Sequence, residues 1–236
     1  MIVGVAGKYC AGKNTVSHIL ENHGYRVIDV DTLGHRALEE RKDAIAERFG
    51  PGVLKSTEEE PTGGAAAAPE SAPGAGSNGA LSVDRSGDSA RADRSRPTAR
   101  LTHVDRRALG ARVFGNDRAR RDLEAIVHPV MVRWVRDFVR DLAGAPGVIN
   151  AALLFPMGLH KECDRVIWVT APLPTRILRA RARDGLGVVE ILRRFRAQRR
   201  LLPQQSSRDV EIHTVENRGS SEVLAKQLHA LGFLSE

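Results

Sequence analysis

The chain has 236 residues, a formal net charge of +7, 42% hydrophobic and only 4% aromatic residues, so it can bury the core of an α/β domain, filled mainly by aliphatic side chains. Its two cysteines, Cys10 and Cys163, have neither CxxC nor Cys/His spacing, which argues against a disulfide framework and a zinc site. An apolar start of about six residues that runs straight into a glycine-bounded loop is neither a signal peptide nor a membrane span, and the cytoplasm is the expected compartment.

In chain order, the apolar run Ile2 to Ala6 predicts a buried strand, and Gly7 to Thr15 reads Gly-Lys-Tyr-Cys-Ala-Gly-Lys-Asn-Thr. This matches G-x-x-x-x-G-K and lacks only the final Ser/Thr. Gly7 and Gly12 permit backbone that a Cβ would block, so N–H groups of residues 8 to 14, Cys10 and Ala11 among them, can point at phosphate oxygens. Lys13 adds a mobile positive charge, and the helix expected from Gly12 to His23 aims its N-terminal dipole at the same anion. Asn14 stands where a hydroxyl normally meets Mg²⁺. Its amide oxygen, or a water it holds, is the expected metal contact, because Thr15 lies about 100° further round the helix.

A second strand, Arg26 to Val30, ends in Val27-Ile28-Asp29-Val30-Asp31. Period-2 alternation would put both carboxylates on one face. Asp31, nearer the crevice mouth, is the expected base or metal contact, with Asp29 supporting; the alternative is that Asp31 caps a helix from Thr32 to Phe49. From about Lys55 to Thr102 the sequence becomes rich in Pro, Gly, Ala and Ser. Between Leu54 and Leu101 its only larger aliphatic residues are Leu81 and Val83, so the stretch is expected to be a disordered insertion. Its seven acidic and six basic residues nearly cancel, and the positive excess belongs to the remainder.

Beyond the insertion, helices are expected over Asp105 to Phe114 and Asn116 to Leu142, the latter kinked or restarted at Pro129. Strands Gly147 to Ala152, Arg165 to Thr170 and Val210 to Val215 alternate with helices Leu173 to Arg183, Val188 to Leu202 and Ser221 to Leu231. Such alternation predicts a five-stranded parallel sheet with helices on both faces, interrupted by a helical subdomain, with the ligand crevice at the carboxyl ends of the strands. The arginines between Arg176 and Arg200 have only Phe195 interleaved, which speaks against single-stranded nucleic acid and for bidentate grip on phosphates. Nucleic acid and membrane are therefore not expected partners.

These residues together resemble the dephospho-coenzyme A kinase family. The opening strand and loop, Val27 to Asp31, Asp105-Arg106 with Leu109 and Val113-Phe114, and above all Leu123-Glu124-Ala125-Ile126-Val127-His128-Pro129 are similar to its motifs. So are Leu153-Leu154-Phe155, Arg179 with Arg183-Asp184, Arg194 with Gln198, and Asn217-x-Gly219. The sequence departs from the pattern at Lys8, Tyr9, Cys10, Asn14, Ala152, Pro156 and Arg176. The resemblance implies a P-loop kinase fold: a nucleotide-binding core (1–31 and 147–236), a helical substrate-binding subdomain (32–54 and 103–146) around the insertion (55–102), and a lid (176–204). It implies ATP and Mg²⁺ as cofactors and dephospho-coenzyme A as the small-molecule substrate, phosphorylated on its ribose 3′-hydroxyl by a monomer or weak homo-oligomer. Lys13, Asp31, Arg179 and Arg183 are then the catalytic candidates, Arg194 and Asn217 join the loop in holding nucleotide, and Asp29, Asp31 and His128 contact substrate. Another small-molecule or nucleoside kinase, and a catalytically weakened nucleotide-binding regulator, are the alternative readings.

Overall fold

The computed structural model describes residues 1–56, 102–197 and 210–234. Five strands, β1 (Ile2–Gly7), β2 (Arg26–Asp29), β5 (Gly147–Asn150), β6 (Arg165–Thr170) and β7 (Glu211–Glu216), form one parallel sheet in the order β2-β5-β1-β6-β7. β1 is central, so its apolar run lies where both faces are covered. Val3 and Val5 face one layer with α1 (Lys13–Asn22) and α8 (Ser221–Ala230), while Ala6 joins Ile149, Val166 and Trp168 against the other.

That second layer is built by α2 (Val30–Glu40), α3 (Lys42–Phe49), α4 (Arg106–Val113) and α5 (Asp117–Asp141). α5 buries Val127, Val130, Met131 and Val135, a helical stripe set at its N-terminus by the Asn116 side chain, which accepts from Arg118 N and Ala119 N. The helix continues through Pro129 rather than restarting there. The expected Thr32 to Phe49 helix is two helices: it opens at Val30 and breaks at Arg41, whose ψ of 16° leaves the helical region. α6 (Leu173–Asp184) and α7 (Val188–Ala197) follow β6 and are joined by a turn in which Gly185 takes φ 65°.

Lys55, Ser56 and Thr102, assigned from composition to the disordered stretch, instead lie in a two-stranded antiparallel ladder of β3 (Leu54–Ser56) and β4 (Thr102–Val104). Pairing Leu54 with Val104 and Ser56 with Thr102 brings the two ends of the intervening segment together. The rest of that segment, and Gln198 to residue 204 of the expected lid, lie outside the described residues. No described helix is long and apolar enough to cross a membrane.

Candidate active site

β1 hands the chain to α1 through the loop 8–12, at the carboxyl end of the sheet. The loop is fixed from outside as well as within: Lys8 N donates to Val169 O at 3.2 Å, and Ala11 N to Lys8 O at 3.0 Å. The N–H groups of Lys8 and Ala11 are thus spent on the protein, which corrects the expectation that all of residues 8 to 14 offer theirs to an anion. Those of Cys10, Gly12, Lys13 and Asn14 have no backbone acceptor among the described residues. Gly7 is required by contact, since a Cβ there would lie 2.4 Å from Val169 O. Gly12 is required twice, by φ 94° and by the Asn217 amide that a Cβ would meet at 2.2 Å. Cys10 sits at φ 57° without being glycine, a left-handed conformation that stores strain inside the loop.

Around this loop lies a cavity of about 540 Å³ lined by Cys10 to Thr15, Arg179, Arg183, Asn217 and Gly219 among others. Lys13 Nζ is 3.3 Å from Asp31 Oδ2, and Asp31 Oδ1 accepts from Ala152 N at 3.0 Å. Asp31 reaches this position from the first turn of α2, not from the strand. β2 stops at Asp29, whose carboxylate caps α2 by accepting from Asp31 N at 3.0 Å. The same-face argument for the two aspartates therefore fails. Asp29 is the cap and Asp31 the group that meets the loop lysine.

Arg179 joins three segments, donating to Ala11 O at 3.1 Å and to Asn217 Oδ1 at 2.9 Å; Asn217 is 2% exposed and its Oδ1 also accepts from Gly219 N. Arg183 lines the cavity but is paired with Asp184 at 2.8 Å and stacked over the Tyr9 ring at 4.9 Å. Arg194 reaches Tyr9 Oη at 3.2 Å and Asp184 at 3.7 Å, and Tyr9 Oη donates to Asp184. Arg176 donates to Tyr9 O at 2.8 Å and packs over Phe195 at 4.1 Å. Burial lowers the pKa of the Arg176 guanidinium from its ordinary value. Tyr9 thus joins the loop to α6 and α7.

His128 does not line the loop cavity. It lines a second one, of about 640 Å³, with Glu124, Arg133, Arg136 and Met157, and burial lowers its pKa against the opposing pull of Glu124.

The model of the dephospho-CoA kinase family matches residues 1–59 and 98–222 of the chain. The chain belongs to the dephospho-CoA kinase family. It is 29% identical over 231 residues to the dephospho-CoA kinase of Thermus thermophilus, covering 98% of this chain and 90% of the relative. It is 32% identical over 230 residues to that of Anaeromyxobacter dehalogenans, covering 95% and 87%. The solved structure of TT1252 from Thermus thermophilus superposes with a TM-score of 0.66 at 27% identity, over 100% of this chain and 98% of that one. A dephospho-CoA kinase from Campylobacter jejuni shares the fold at 17% identity, with a TM-score of 0.51 over 98% and 94%. The fold is accordingly that of the P-loop kinases, parallel sheet and helices on both faces included.

In this dephospho-CoA kinase relative, sequence reasoning missed two contacts that shape the site. One is the Ala152 N–H that holds Asp31. The other is Asn150, at the end of β5, whose Nδ2 donates to Asn14 Oδ1 at 3.0 Å. The expected metal-facing oxygen of Asn14 is turned to a protein amide instead. A readable signal for Asn150 existed: a polar residue closing the buried run Gly147-Val148-Ile149 at the carboxyl edge. No group of three or more His, Cys, Asp or Glu side chains suited to a metal occurs among the described residues. A hydrated Mg²⁺ does not require one, because it keeps several waters and takes one or two protein oxygens plus phosphate. Asp31 presents a carboxylate oxygen of the kind that ion takes, and Asn14 would add its amide oxygen only if it turned away from Asn150.

Proposed function

We propose that this protein transfers the γ-phosphoryl group of ATP to the ribose 3′-hydroxyl of dephospho-coenzyme A. The observation that carries the reading is the placement of Asp31, held by the Ala152 N–H and set against Lys13, which lines the loop cavity. A carboxylate in that position can take the hydroxyl proton as the ribose oxygen attacks phosphorus. The bond to the β–γ bridging oxygen breaks, and ADP leaves with its electron pair. Phosphoryl transfer is chiefly positioning and charge stabilisation, which gives the loop N–H groups, Lys13 and the cavity-lining Arg179 and Arg183 their roles around the transferring group.

Arg194, Asn217 and Thr15 belong to the nucleotide side of this reading, and Asp29 supports the acceptor side by shaping the turn into α2. His128 is assigned to the non-reacting arm of the acceptor, since it faces a separate cavity. A bound Mg²⁺ would be held by Asn14 and Asp31 and would supply charge neutralisation between the phosphates. The reading is tested by incubating purified protein with Mg-ATP and dephospho-coenzyme A and identifying the product by mass. Gain of one phosphate on the acceptor is expected. ATP binding without transfer to this acceptor, or to other nucleosides and small alcohols, would instead favour a nucleotide-binding regulator.

A further inference from the structure

Asn150 sits at the carboxyl end of β5, in register with Val5 of β1 and Asp29 of β2, and is 2% exposed. Its Nδ2 donates to Asn14, while its own Oδ1 is buried with no hydrogen-bond partner. Asn14 is exposed and lines the phosphate cavity. In P-loop enzymes generally, a loop hydroxyl and a strand-end aspartate hold the metal at this corner. Two amides occupy it here, with one negative charge fewer.

We infer that Asn150 is a positioning residue that sets which end of the Asn14 amide faces the nucleotide, making the pair a two-state element that accepts phosphate with or without a metal ion. With Asn150 donating, Asn14 turns its oxygen inward and leaves its NH₂ for the cavity, which suits a bare phosphate oxygen. If both amides turn over, Asn14 Nδ2 donates to the orphaned Asn150 Oδ1, and the Asn14 oxygen faces the cavity, which suits a cation. The two arrangements use the same heavy-atom positions and each keeps the hydrogen bond between the amides, because an amide carries a donor and an acceptor at matched distances. A carboxylate at position 150 can only accept, so it would lock Asn14 oxygen-out and repel metal-free phosphate.

The inference rests on the nucleotide reading of the loop, and calorimetry separates the two. ATP binding is measured in excess Mg²⁺ and in EDTA for wild type, Asn150→Asp, Asn14→Ser and the double variant. Wild type is expected to bind in both conditions. In Asn150→Asp the ratio of metal-free to Mg²⁺ dissociation constants should rise about tenfold, the usual scale for a residue that orients a metal ligand. A purely structural role would weaken both constants alike and leave the ratio in place. The effect of Asn14→Ser on the ratio should differ between the Asn150 and Asn150→Asp backgrounds, since the two side chains act as a pair. A wild-type ratio retained within about twofold in Asn150→Asp, or additive variants, overturns the inference while leaving the nucleotide reading intact. No ATP binding by wild type in either condition overturns both. Should Asn150→Asp fail to fold, side-chain amide NMR of the wild type decides: the protected NH₂ should pass from Asn150 to Asn14 when Mg²⁺ is added to the ATP complex, and an unchanged pattern refutes it.

Discussion

Asp31→Asn removes one charge and leaves most of the local geometry in place. The amide oxygen can still accept from Ala152 N, but an NH₂ then faces Lys13 Nζ across the present 3.3 Å contact, donor against donor. The ion pair is partly open, with Asp31 46% and Lys13 15% exposed, so its net worth to the fold is about 0–1 kcal/mol. That corresponds to a loss of about 2–4 °C in Tm at most for a chain of this size. Loss of a general base has a different scale: kcat should fall about 10²–10⁴-fold, or about 2.7–5.4 kcal/mol in the barrier at 1.36 kcal/mol per decade. ATP affinity should stay within about threefold, because Lys13 and the loop N–H groups remain, and a loss confined to the transition state leaves ground-state binding alone. Steady-state kinetics with mass-identified product, beside calorimetric ATP binding, reads both. A kcat reduced less than about tenfold together with a raised KM for ATP would refute the base assignment and reduce Asp31 to an anchor for Lys13.

Gly12→Ala should lower Tm by about 4 °C or more in scanning calorimetry, because it combines a left-handed φ of 94° with displacement of the Asn217 amide; an unchanged Tm would contradict the loop geometry. His128 has a lowered pKa through burial, so below the ordinary value of 6.5 the unfolded chain takes up a proton first. Stability from this group is therefore complete above that pH and is lost as pH falls, and denaturant unfolding of His128→Gln should show a shallower decline between pH 7 and 5 than wild type. Burial and the neighbouring Asp164 and Glu162 push the Cys163 thiol up to about 12, so iodoacetamide at pH 8 should spare it in the folded protein and label it once urea unfolds the chain. Tyr9→Phe keeps the ring against Arg183 and Phe195 but loses the hydroxyl links to Asp184 and Arg194, and should speed tryptic cleavage at the arginines of α6 and α7 without altering Tm appreciably; equal cleavage rates would show that the hydroxyl links do not hold these helices.

The sheet was legible because its strands are short apolar runs separated by helical periodicity, and the loop because its chemistry sits in nine consecutive residues. Errors arose where a backbone turn decides the outcome. Alternation in Val27 to Asp31 looked like strand through Asp31, yet the Asp29 carboxylate captures the Asp31 N–H and starts the helix two residues early. Local capping outweighed β pattern there, as it does when an Asx side chain competes with a ladder. The short β3–β4 ladder was invisible for another reason: it pairs residues from either side of a long low-complexity stretch, and neither three-residue strand carries a periodic signal of its own. At Pro129 the helix does not restart, because the flanking residues Val127, Val130 and Met131 are held by the core and outweigh the one backbone bond that proline forgoes.

Spacing along the loop does not by itself fix its conformation, and Arg179 shows what else holds it. Its guanidinium is held by the Ala11 carbonyl and by Asn217, while Asn217 in turn turns the backbone at Gly219 and lies so close over Gly12 that no side chain fits beneath it. The Ala11 carbonyl is engaged by the arginine, and the N–H groups of Gly12, Lys13 and Asn14 have no backbone acceptor among the described residues. Three segments far apart in sequence, from β1, α6 and the turn after β7, therefore set one orientation of one loop. An arginine usually read as a charge for phosphate has a structural task here, holding the loop to the turn after β7. Loss of Asn217 should consequently propagate to the loop through Arg179, even though Asn217 itself is almost wholly buried.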